Sequence, residues 1–347
     1  MSSTRRVTIR EIAEMSQVSV STVSNVLNGR TTAMSAETLQ RVRRVVAEVR
    51  YRPSSVARGL VTGRTSTIGL VLAEIETSLF FSAIGSVEHL AREAGYNVIV
   101  CHARGARDER EVVSLLRAKG VDGIVFVSNS EKDDDSHLLA LPAAGIQAVV
   151  INRPRPGREI GRVTWDDRKS VAAAVEHLHA LGHRRIAHLR GPHSRQSAKA
   201  RLSGYRMGLR SCGLPFRSEY VRLGDYNDDP AGWAASTCEL LALDPAPTAV
   251  IGADDSVAAV AMRTVQQAGL RVPDDFAVVG VDDQMFAPLL NPALTTIRLP
   301  IREAAEGAFT MLLGNLTEEA GGMRDLRLPA QLVVRESCGG AERTARN

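Results

Sequence analysis

The chain has 347 residues, of which 44% are hydrophobic and 24% are charged, proportions that are ordinary for a globular protein of two or three domains. No apolar run reaches the ~20 residues that a membrane span needs, and the start, MSSTRRVTIR, lacks the apolar segment of a secretion signal. The cysteines, Cys101, Cys212, Cys238 and Cys338, lack the C-x-x-C spacing of zinc or redox sites. We therefore expect a cytoplasmic protein with free thiols, no membrane association, no metal and no cofactor.

The positive charge is concentrated at the amino-terminal end of the chain. The net charge is only +4, yet residues 1–64 contain 11 Arg and 4 Glu, which leaves the remainder slightly acidic. Clustered cations bind the phosphates of nucleic acids. This distribution therefore indicates a nucleic-acid-binding head attached to a nearly neutral body.

Residues 8–29, TIREIAEMSQVSVSTVSNVLNG, have the pattern of two short helices joined by a turn. Thr8 and Glu11 fit a capping box at the start of the first helix, and Ser19 can cap the second. The outer side of the second helix then presents Val20, Ser21 and Asn25. This spacing predicts a helix-turn-helix whose second helix enters the DNA major groove. The alternative is an amphipathic helical hairpin without a DNA-binding role.

A third helix follows in residues 36–51, AETLQRVRRVVAEVRY, with Ser35 as its N-cap. Its apolar stripe is surrounded by Arg41, Arg43, Arg44 and Arg50. Because three helices can enclose a small core, this segment favours the helix-turn-helix over the isolated hairpin.

These segments, together with VRYRPSSVARGL, resemble the DNA-binding head of the lactose-repressor/galactose-repressor (LacI/GalR) family. The resemblance implies that double-stranded operator DNA is the partner. It assigns base contacts to Val20, Ser21 and Asn25, and phosphate contacts to Thr8, Ser19, Thr22, Ser24 and Asn28. Ser16-Gln17 stands where the family usually has Ala-Gly, so we expect a strained turn, because Gly suits a left-handed turn residue and Gln does not.

The linker, RPSSVARGLVTGRTSTIG, can be a flexible tether or can contain a short helix that starts at Ser54. Such a helix would be too short to be stable alone, and Gly59 weakens it further. The family resemblance implies a hinge helix that pairs with its dimer mate in the minor groove. Ala57 and Leu60 are its expected minor-groove residues, and Leu60 is the apolar wedge that kinks the DNA.

The body alternates apolar runs with amphipathic segments, which predicts an α/β fold with parallel strands buried on both faces. Polar pairs follow three of these runs: Asn152-Arg153, Asp254-Asp255 and Asp282-Asp283. The carboxyl ends of the strands form the ligand crevice in open α/β sheets. Alternatively, these charges cap helices, and we expect the second Asp of each pair to do so.

The body also resembles the family in LGHRRIAHLRGP, SAKARLSGY, TAVIGADD, VVGVDD and LTTIRLP. The resemblance implies a body like a periplasmic binding protein, with two lobes of doubly wound parallel sheets that close on an effector. The expected effector-binding residues are Phe80, Phe81, Asn152, Trp165, Arg201, Tyr226, Asp254 and Asp282. Carboxylates, a guanidinium and flat rings suit a polyhydroxylated ligand such as a sugar.

The expected organisation is an all-α helix-turn-helix head (1–52), a hinge and linker (53–65) and an α/β body (66–340). Lobe one would comprise about 66–164 and 296–324, and lobe two about 165–293 and 325–340. We expect a ligand-responsive transcriptional regulator, a repressor that binds a palindromic operator as a homodimer and responds to a sugar. One alternative is a regulator that responds to a nucleobase, nucleoside or other non-sugar ligand. A cytoplasmic sugar-binding protein or an enzyme is the alternative from a different class, although the common motifs of enzymes are missing.

Overall fold

The computed structural model of the chain describes residues 7–27, 34–49, 51, 64–73, 78–103, 105–127, 135–153, 157–193, 195–224, 230–317 and 324–340. The chain divides into two compact units, a head that ends at Ser66 and a body that begins at Thr67. The body therefore starts one residue after the expected boundary.

Within the described residues, the head contains three helices, α1 (Ile9–Met15), α2 (Val20–Leu27) and α3 (Ala36–Glu48). Their apolar faces enclose a small core formed by Ile12, Ala13, Val23, Val26, Val42 and Val45. All six residues lie on the faces that the helical spacing predicts. The helix-turn-helix architecture of the head is thereby confirmed.

Side-chain caps fix where the three helices begin. The capping box of α1 is complete, since Thr8 N donates to Glu11 Oε2 at 2.7 Å and Glu11 N donates to Thr8 Oγ1 at 3.4 Å. Ser19 Oγ accepts from Thr22 N at 3.1 Å, and Ser35 Oγ accepts from Thr38 N at 3.2 Å. These caps satisfy amide groups that a helix start leaves without partners.

The turn between α1 and α2 is strained at the residue where the sequence predicts strain. Gln17 adopts a left-handed conformation with φ of 51°, which is unfavourable for a residue with a Cβ atom. Ser16 beside it is fully buried, and its hydroxyl has no hydrogen-bond partner within the described residues.

The described part of the body forms two six-stranded sheets. In chain order its elements are β1 (Thr67–Leu72), α4 (Ser78–Glu93), β2 (Asn97–His102), α5 (Ala106–Ala118), β3 (Gly123–Val127), α6 (Ser136–Ala143), β4 (Gln147–Ile151), β5 (Gly161–Trp165), α7 (Asp167–Ala180), β6 (Ile186–Arg190), α8 (Gln196–Ser211), β7 (Val221–Leu223), α9 (Pro230–Leu241), β8 (Ala249–Ile251), α10 (Asp255–Gln267), β9 (Ala277–Asp282), β10 (Thr295–Arg298), α11 (Ile301–Leu316), β11 (Asp325–Leu328) and β12 (Gln331–Val333).

The first sheet has the strand order β11-β5-β4-β3-β1-β2, and all of its pairings are parallel. Helices α4 and α11 pack on one face, where Leu70, Val87 and Ala308 belong to one core cluster. Helices α5 and α6 supply Leu116 and Leu138 to the cluster on the other face. Burial on both faces explains why β1, β3 and β4 have continuous apolar sequences.

The second sheet has the order β12-β10-β9-β8-β6-β7, and it is parallel except for the antiparallel pairing of β10 with β12. Helices α7 and α8 cover one face, and α9 and α10 cover the other. The predicted doubly wound α/β architecture is therefore confirmed in both sheets.

The carboxyl-terminal part of the chain crosses between the two sheets. Strand β10 belongs to the second sheet, α11 packs on the first, β11 joins the first, and β12 returns to the second. The expected lobe boundaries at 296 and 325 fall within β10 and at the start of β11. The chain thus passes from the second sheet to the first after Arg298, and back to the second sheet after Leu328.

Candidate functional site

The outer surface of α2 carries the three side chains for which base contacts are expected. Val20, Ser21 and Asn25 are all exposed, whereas Val23 and Val26 on the opposite side are buried in the head core. The first turn of α2 contains no acidic residue. The helix start therefore presents short side chains and a positive dipole end, which suits an approach to DNA.

Hydroxyl groups at the start of α2 form a network around Ser19. Its Oγ lies 2.7 Å from Ser21 Oγ and 2.8 Å from Thr22 Oγ1. Thr8 is exposed, and Ser24 and Thr22 are half-buried. Thr8, Ser19, Thr22 and Ser24 thus stay predicted phosphate-binding residues. Asn28 and the hinge residues Ala57 and Leu60 lie outside the described residues.

In the body, buried charges meet around Arg201 of α8. Its Nε donates to Asp167 Oδ1 at 3.1 Å, its Nη1 donates to the Ala253 carbonyl at 2.5 Å, and its Nη2 lies 3.5 Å from Asp282 Oδ1. The three side chains are nearly inaccessible to solvent. Arg201 therefore connects the start of α7, the segment after β8 and the end of β9, at the carboxyl-terminal ends of the strands of the second sheet.

Within the described residues, the hydrogen-bonding capacity of the Asp282 side chain is not fully used. Its Oδ1 accepts no hydrogen bond within the described residues, although Arg201 is near. Burial raises the pKa of Asp282 well above its usual value, and the opposing charge of Arg201 only partly offsets this effect. A buried acceptor without a donor is costly, so a ligand that supplies a hydroxyl or N–H group would be stabilised here.

The expectation that the second Asp of each pair caps a helix is wrong. Asp254, the first Asp of its pair, is the N-cap of α10, and its Oδ1 accepts from Val257 N at 2.8 Å. Asp255 is completely buried and accepts from Gln284 N at 2.6 Å. Asp283 contacts Arg298 and Arg335, each at 2.6 Å. The cap falls on the first residue because Asp254 still has the extended backbone conformation that an N-cap requires.

The expected stacking residues differ in their accessibility. Phe80 of α4 is buried in the core, whereas the next residue, Phe81, is 59% exposed. Trp165 ends β5 and is buried, and its Nε1 has no acceptor within the described residues. Tyr226 lies outside those residues.

Asn152 follows β4 and has a left-handed backbone with φ of 52°. The next residue, Arg153, is buried and donates to both oxygens of Glu109, at 2.7 and 3.0 Å. His137 Nε2 lies 2.7 Å from the same carboxylate, and Asp135 also pairs with Arg153. Burial raises the pKa of Glu109, but the hydrogen bond from His137 and the charge of Arg153 outweigh it, so the pKa is lowered overall.

Sequence reasoning missed several of these polar contacts. Four side chains that were not expected there make ion pairs or hydrogen bonds with Arg201, Asp255 or Asp283 at this edge of the second sheet: Asp167, Thr296, Arg298 and Arg335. Their positions at the ends of strands and at helix starts are a usable signal, but their partners come from distant parts of the chain.

Within the described residues there is no group of three or more His, Cys, Asp or Glu side chains that could hold a metal ion. No helix in the same part of the chain is long and apolar enough to cross a membrane.

Comparison with known proteins agrees with both parts of the fold. Residues 8–54 match the profile "Bacterial regulatory proteins, lacI family", and residues 175–338 match "Periplasmic binding protein-like domain". The HTH-type transcriptional repressor PurR of Vibrio campbellii (strain ATCC BAA-1116) is 31% identical over 95% of this chain and 98% of its own length.

Two solved structures extend this similarity. The lac repressor dimer bound to operator and the anti-inducer ONPF is 29% identical, with a TM-score of 0.84 over 96% of this chain and 99% of that one. The complex of the transcriptional regulator CelR with cellobiose is 29% identical, with a TM-score of 0.71 over 96% of this chain and 100% of that one.

A helix-turn-helix head and a doubly wound two-sheet body define a ligand-responsive DNA-binding transcriptional regulator. The chain belongs to the lacI family of bacterial regulatory proteins, and it is a transcriptional repressor rather than an enzyme.

Proposed function

We propose that the protein binds a palindromic operator as a homodimer and responds to a small polyhydroxylated effector, a sugar, held in the cleft of its body. The effector would contact Asn152, Arg201, Asp254 and Asp282, with Phe80, Phe81, Trp165 and Tyr226 as aromatic neighbours. Neither a metal nor a cofactor takes part in this proposal.

One observation carries the effector assignment: Asp282 Oδ1 is buried beside Arg201 without a hydrogen-bond donor among the described residues. The group stands at the carboxyl end of β9, the edge at which open α/β sheets bind ligands. A sugar hydroxyl can donate to the carboxylate and accept from a guanidinium, so it matches both partners. The ion pair between Arg201 and Asp167 orients the guanidinium group at this edge.

The DNA-binding part of the proposal rests on α2. Val20, Ser21 and Asn25 would contact base edges, and Thr8, Ser19, Thr22, Ser24 and Asn28 would contact phosphates. The similar lac repressor structure is a dimer bound to operator, which supports a homodimer on a palindrome here, because two-fold symmetry of the protein is mirrored in the operator.

A thermal-shift screen of the full-length protein tests the effector assignment. The panel contains cellobiose, other neutral sugars and nucleobases, so that it also covers a regulator of the non-sugar type. A compound at 100 times its dissociation constant should stabilise the body by roughly 2.7 kcal/mol. Asp282→Asn should weaken the binding of that compound ten- to a hundredfold, because one charge-assisted hydrogen bond contributes about 1.5–3 kcal/mol.

The matched control is Asp275→Asn. Asp275 also pairs with an arginine, Arg271, but on the exposed surface of the body. This variant should bind like the parent. Equal binding by Asp282→Asn and the parent would place the effector elsewhere, and stabilisation by a nucleobase alone would replace the sugar with the other ligand class.

A further inference from the structure

The backbone that presents Asp282 is held in an unfavourable conformation. Asp282 has φ of 112° and Asp283 has φ of 55°. Both values lie in the region that residues with a Cβ atom rarely adopt. Such a turn persists only when surrounding contacts fix it. The turn from Asp282 to Gln284, here called the β9 turn, therefore needs anchors.

The inner anchor is the carboxylate of Asp255 at the start of α10. Its Oδ2 accepts from Gln284 N at 2.6 Å, and its Oδ1 accepts from Thr296 Oγ1 of β10. Thr296 Oγ1 in turn accepts from Asp283 N at 3.4 Å. The two amides that follow Asp282 are thus both connected to Asp255, one directly and one through Thr296.

The sequence leaves room for this anchor. Gly280 lies on β9 opposite Asp255, and a Cβ atom at this position would collide with Asp255 Oδ1. Asp255 and Thr296 are both completely buried, so water does not compete for their hydrogen bonds. The carboxylate is acceptor-only, and both of its oxygens are used.

The outer anchor of the β9 turn is the side chain of Asp283. It contacts Arg298 of β10 and Arg335 near the carboxyl-terminal end, and Arg335 Nη1 also donates to the Leu294 carbonyl at 2.8 Å. The side chain of Asp283 is therefore occupied by structural contacts. Of the two neighbouring carboxylates, Asp282 is the one left for a ligand.

We propose that Asp255 is a positioning residue of the effector site, whose ionised carboxylate holds the β9 turn so that Asp282 faces the effector, and that this hold weakens when Asp255 is protonated. The inference rests on the proposed role of Asp282 in effector binding. A proton on Asp255 reverses its hydrogen bond with Thr296 and leaves the Thr296 hydroxyl proton without its acceptor. It also removes the charge that strengthens the bond from Gln284 N.

Burial of Asp255 makes this proton exchange accessible near neutral pH. Burial raises the pKa of Asp255 to about 7, although the hydrogen bonds from Thr296 and Gln284 act in the opposite direction. The neighbouring acidic groups are Asp254 on its own helix and Asp282 and Asp283 on the β9 turn. The cations that face these carboxylates are Arg201, Arg298 and Arg335.

Amide hydrogen exchange of the full-length protein, without ligand, tests the proposal. The readout is the protection of the Gln284 amide relative to Val279 in the middle of β9, corrected for the intrinsic pH dependence of exchange. Asp255→Ala should lower this protection at least tenfold at pH 8. Asp255→Asn keeps one acceptor oxygen but carries no charge, as the protonated acid does, so its protection should match that of the parent at pH 6. In the parent, protection should fall about threefold or more from pH 8 to pH 6, since a charge-assisted bond is roughly twice as strong as a neutral one, whereas Asp255→Asn should show no such step.

Ser337→Ala is the matched control. Ser337 is equally buried and also bridges β9 and β10, because its Oγ donates to the Val278 carbonyl and accepts from Thr295 N. It acts at the other end of these strands, so Gln284 should keep its protection and its pH step. A parent profile without the step, or the same step in Asp255→Asn, would overturn the proposal and leave the effector assignment standing. Failure of the thermal-shift screen, by contrast, would remove the effector assignment itself.

Discussion

At the scale of single residues, polar groups in this protein are fixed by partners that are distant in sequence. Arg201 contacts Asp167, Ala253 and Asp282, which belong to three different segments. Arg153 likewise joins Glu109 and Asp135. Removing one partner from such a buried pair leaves an uncompensated charge, which costs about 3–5 kcal/mol. Conservative variants are therefore the informative ones at these positions.

The strained turn of the head gives a prediction at this scale. Gln17→Gly should stabilise the head by about 1 kcal/mol, because glycine adopts the left-handed conformation without a steric penalty. The change in the unfolding free energy of the head is measured by hydrogen exchange of the α2 amides in the full-length protein at increasing urea concentrations. Glu14→Gly, a substitution at an exposed position inside α1, is the control and should destabilise. Destabilisation by Gln17→Gly would contradict the strain at this turn.

A second residue-scale prediction concerns His188. Burial lowers its pKa to about 4, and its Nδ1 lies 3.0 Å from the Ile251 carbonyl. An unfolded histidine titrates near pH ~6.5. Between these two values the unfolded chain binds a proton that the folded protein does not, so this residue makes stability fall as the pH falls. Asp255, with its raised pKa, acts with the opposite sign over much of this range.

A comparison of variants isolates the histidine from these other groups. Between pH 7 and pH 4, the difference in unfolding free energy between His188→Gln and the parent should shift by on the order of 3 kcal/mol in favour of the variant. Urea denaturation at several pH values measures it. His89→Gln, on an exposed side of α4, should show no comparable shift. A constant difference for His188→Gln would show that the imidazole titrates normally in the fold.

At the scale of elements, helices and strands with a clear local sequence pattern are predictable. Strands whose conformation depends on pairing with a distant strand are not. The three head helices and strands β1, β2, β3, β4, β6, β8 and β9 follow from capping residues and apolar runs. Strands β11 and β12 are only four and three residues long, which is too short for a distinctive pattern. Their pairing with sheet edges decides their conformation.

The candidate site was predictable to a similar extent. Asp254 at the start of α10 and Asp282 at the end of β9 lie at the expected edge of the sheet, and Arg201 reaches this edge from within α8. The sequence does not show that Asp254 caps α10 while Asp255 accepts hydrogen bonds from Gln284 and Thr296. These roles depend on the backbone angles of Asp254 and on partners from later segments of the chain. The same reason explains why Arg335 was not expected near Asp283.

Helix α2 gives a prediction that separates base contacts from phosphate contacts. Ser21→Ala and Asn25→Ala should change the sequence preference of DNA binding, because both side chains are exposed on the outer surface of α2. Thr22→Val should weaken binding to all sequences alike. Competition binding with a library of DNA duplexes at fixed salt measures both effects. Identical sequence profiles for Ser21→Ala, Asn25→Ala and the parent would contradict the role of α2.

At the scale of the whole molecule, effector binding has to influence DNA binding through a coupled equilibrium. We propose that the effector acts by changing the pairing of the two hinge segments in the dimer. This idea rests on the sequence of residues 53–65, where an apolar stripe is combined with the helix-weakening Gly59. Folding of a marginal helix is a suitable point for such coupling because small free-energy changes shift it.

The hinge gives a prediction with two opposite variants. Leu60→Ala should remove the minor-groove wedge and reduce specific binding while salt-sensitive nonspecific binding is kept. Gly59→Ala favours the helix by up to about 1 kcal/mol, so it should tighten specific binding and weaken the effector response. Fluorescence anisotropy with specific and nonspecific duplexes measures both variants. Parent-like behaviour of both would remove the hinge from the mechanism.

A repressor of this family has to recognise its operator through sequence-specific contacts of the helix-turn-helix head. The most direct test is selection of bound duplexes from a random DNA library by the full-length protein, with and without a small-molecule extract of bacterial cells. One palindromic motif should be enriched in at least one of these conditions, and Ser21→Ala or Asn25→Ala should change that motif. Enrichment of no motif, or of the same motif after deletion of residues 1–64, would contradict it.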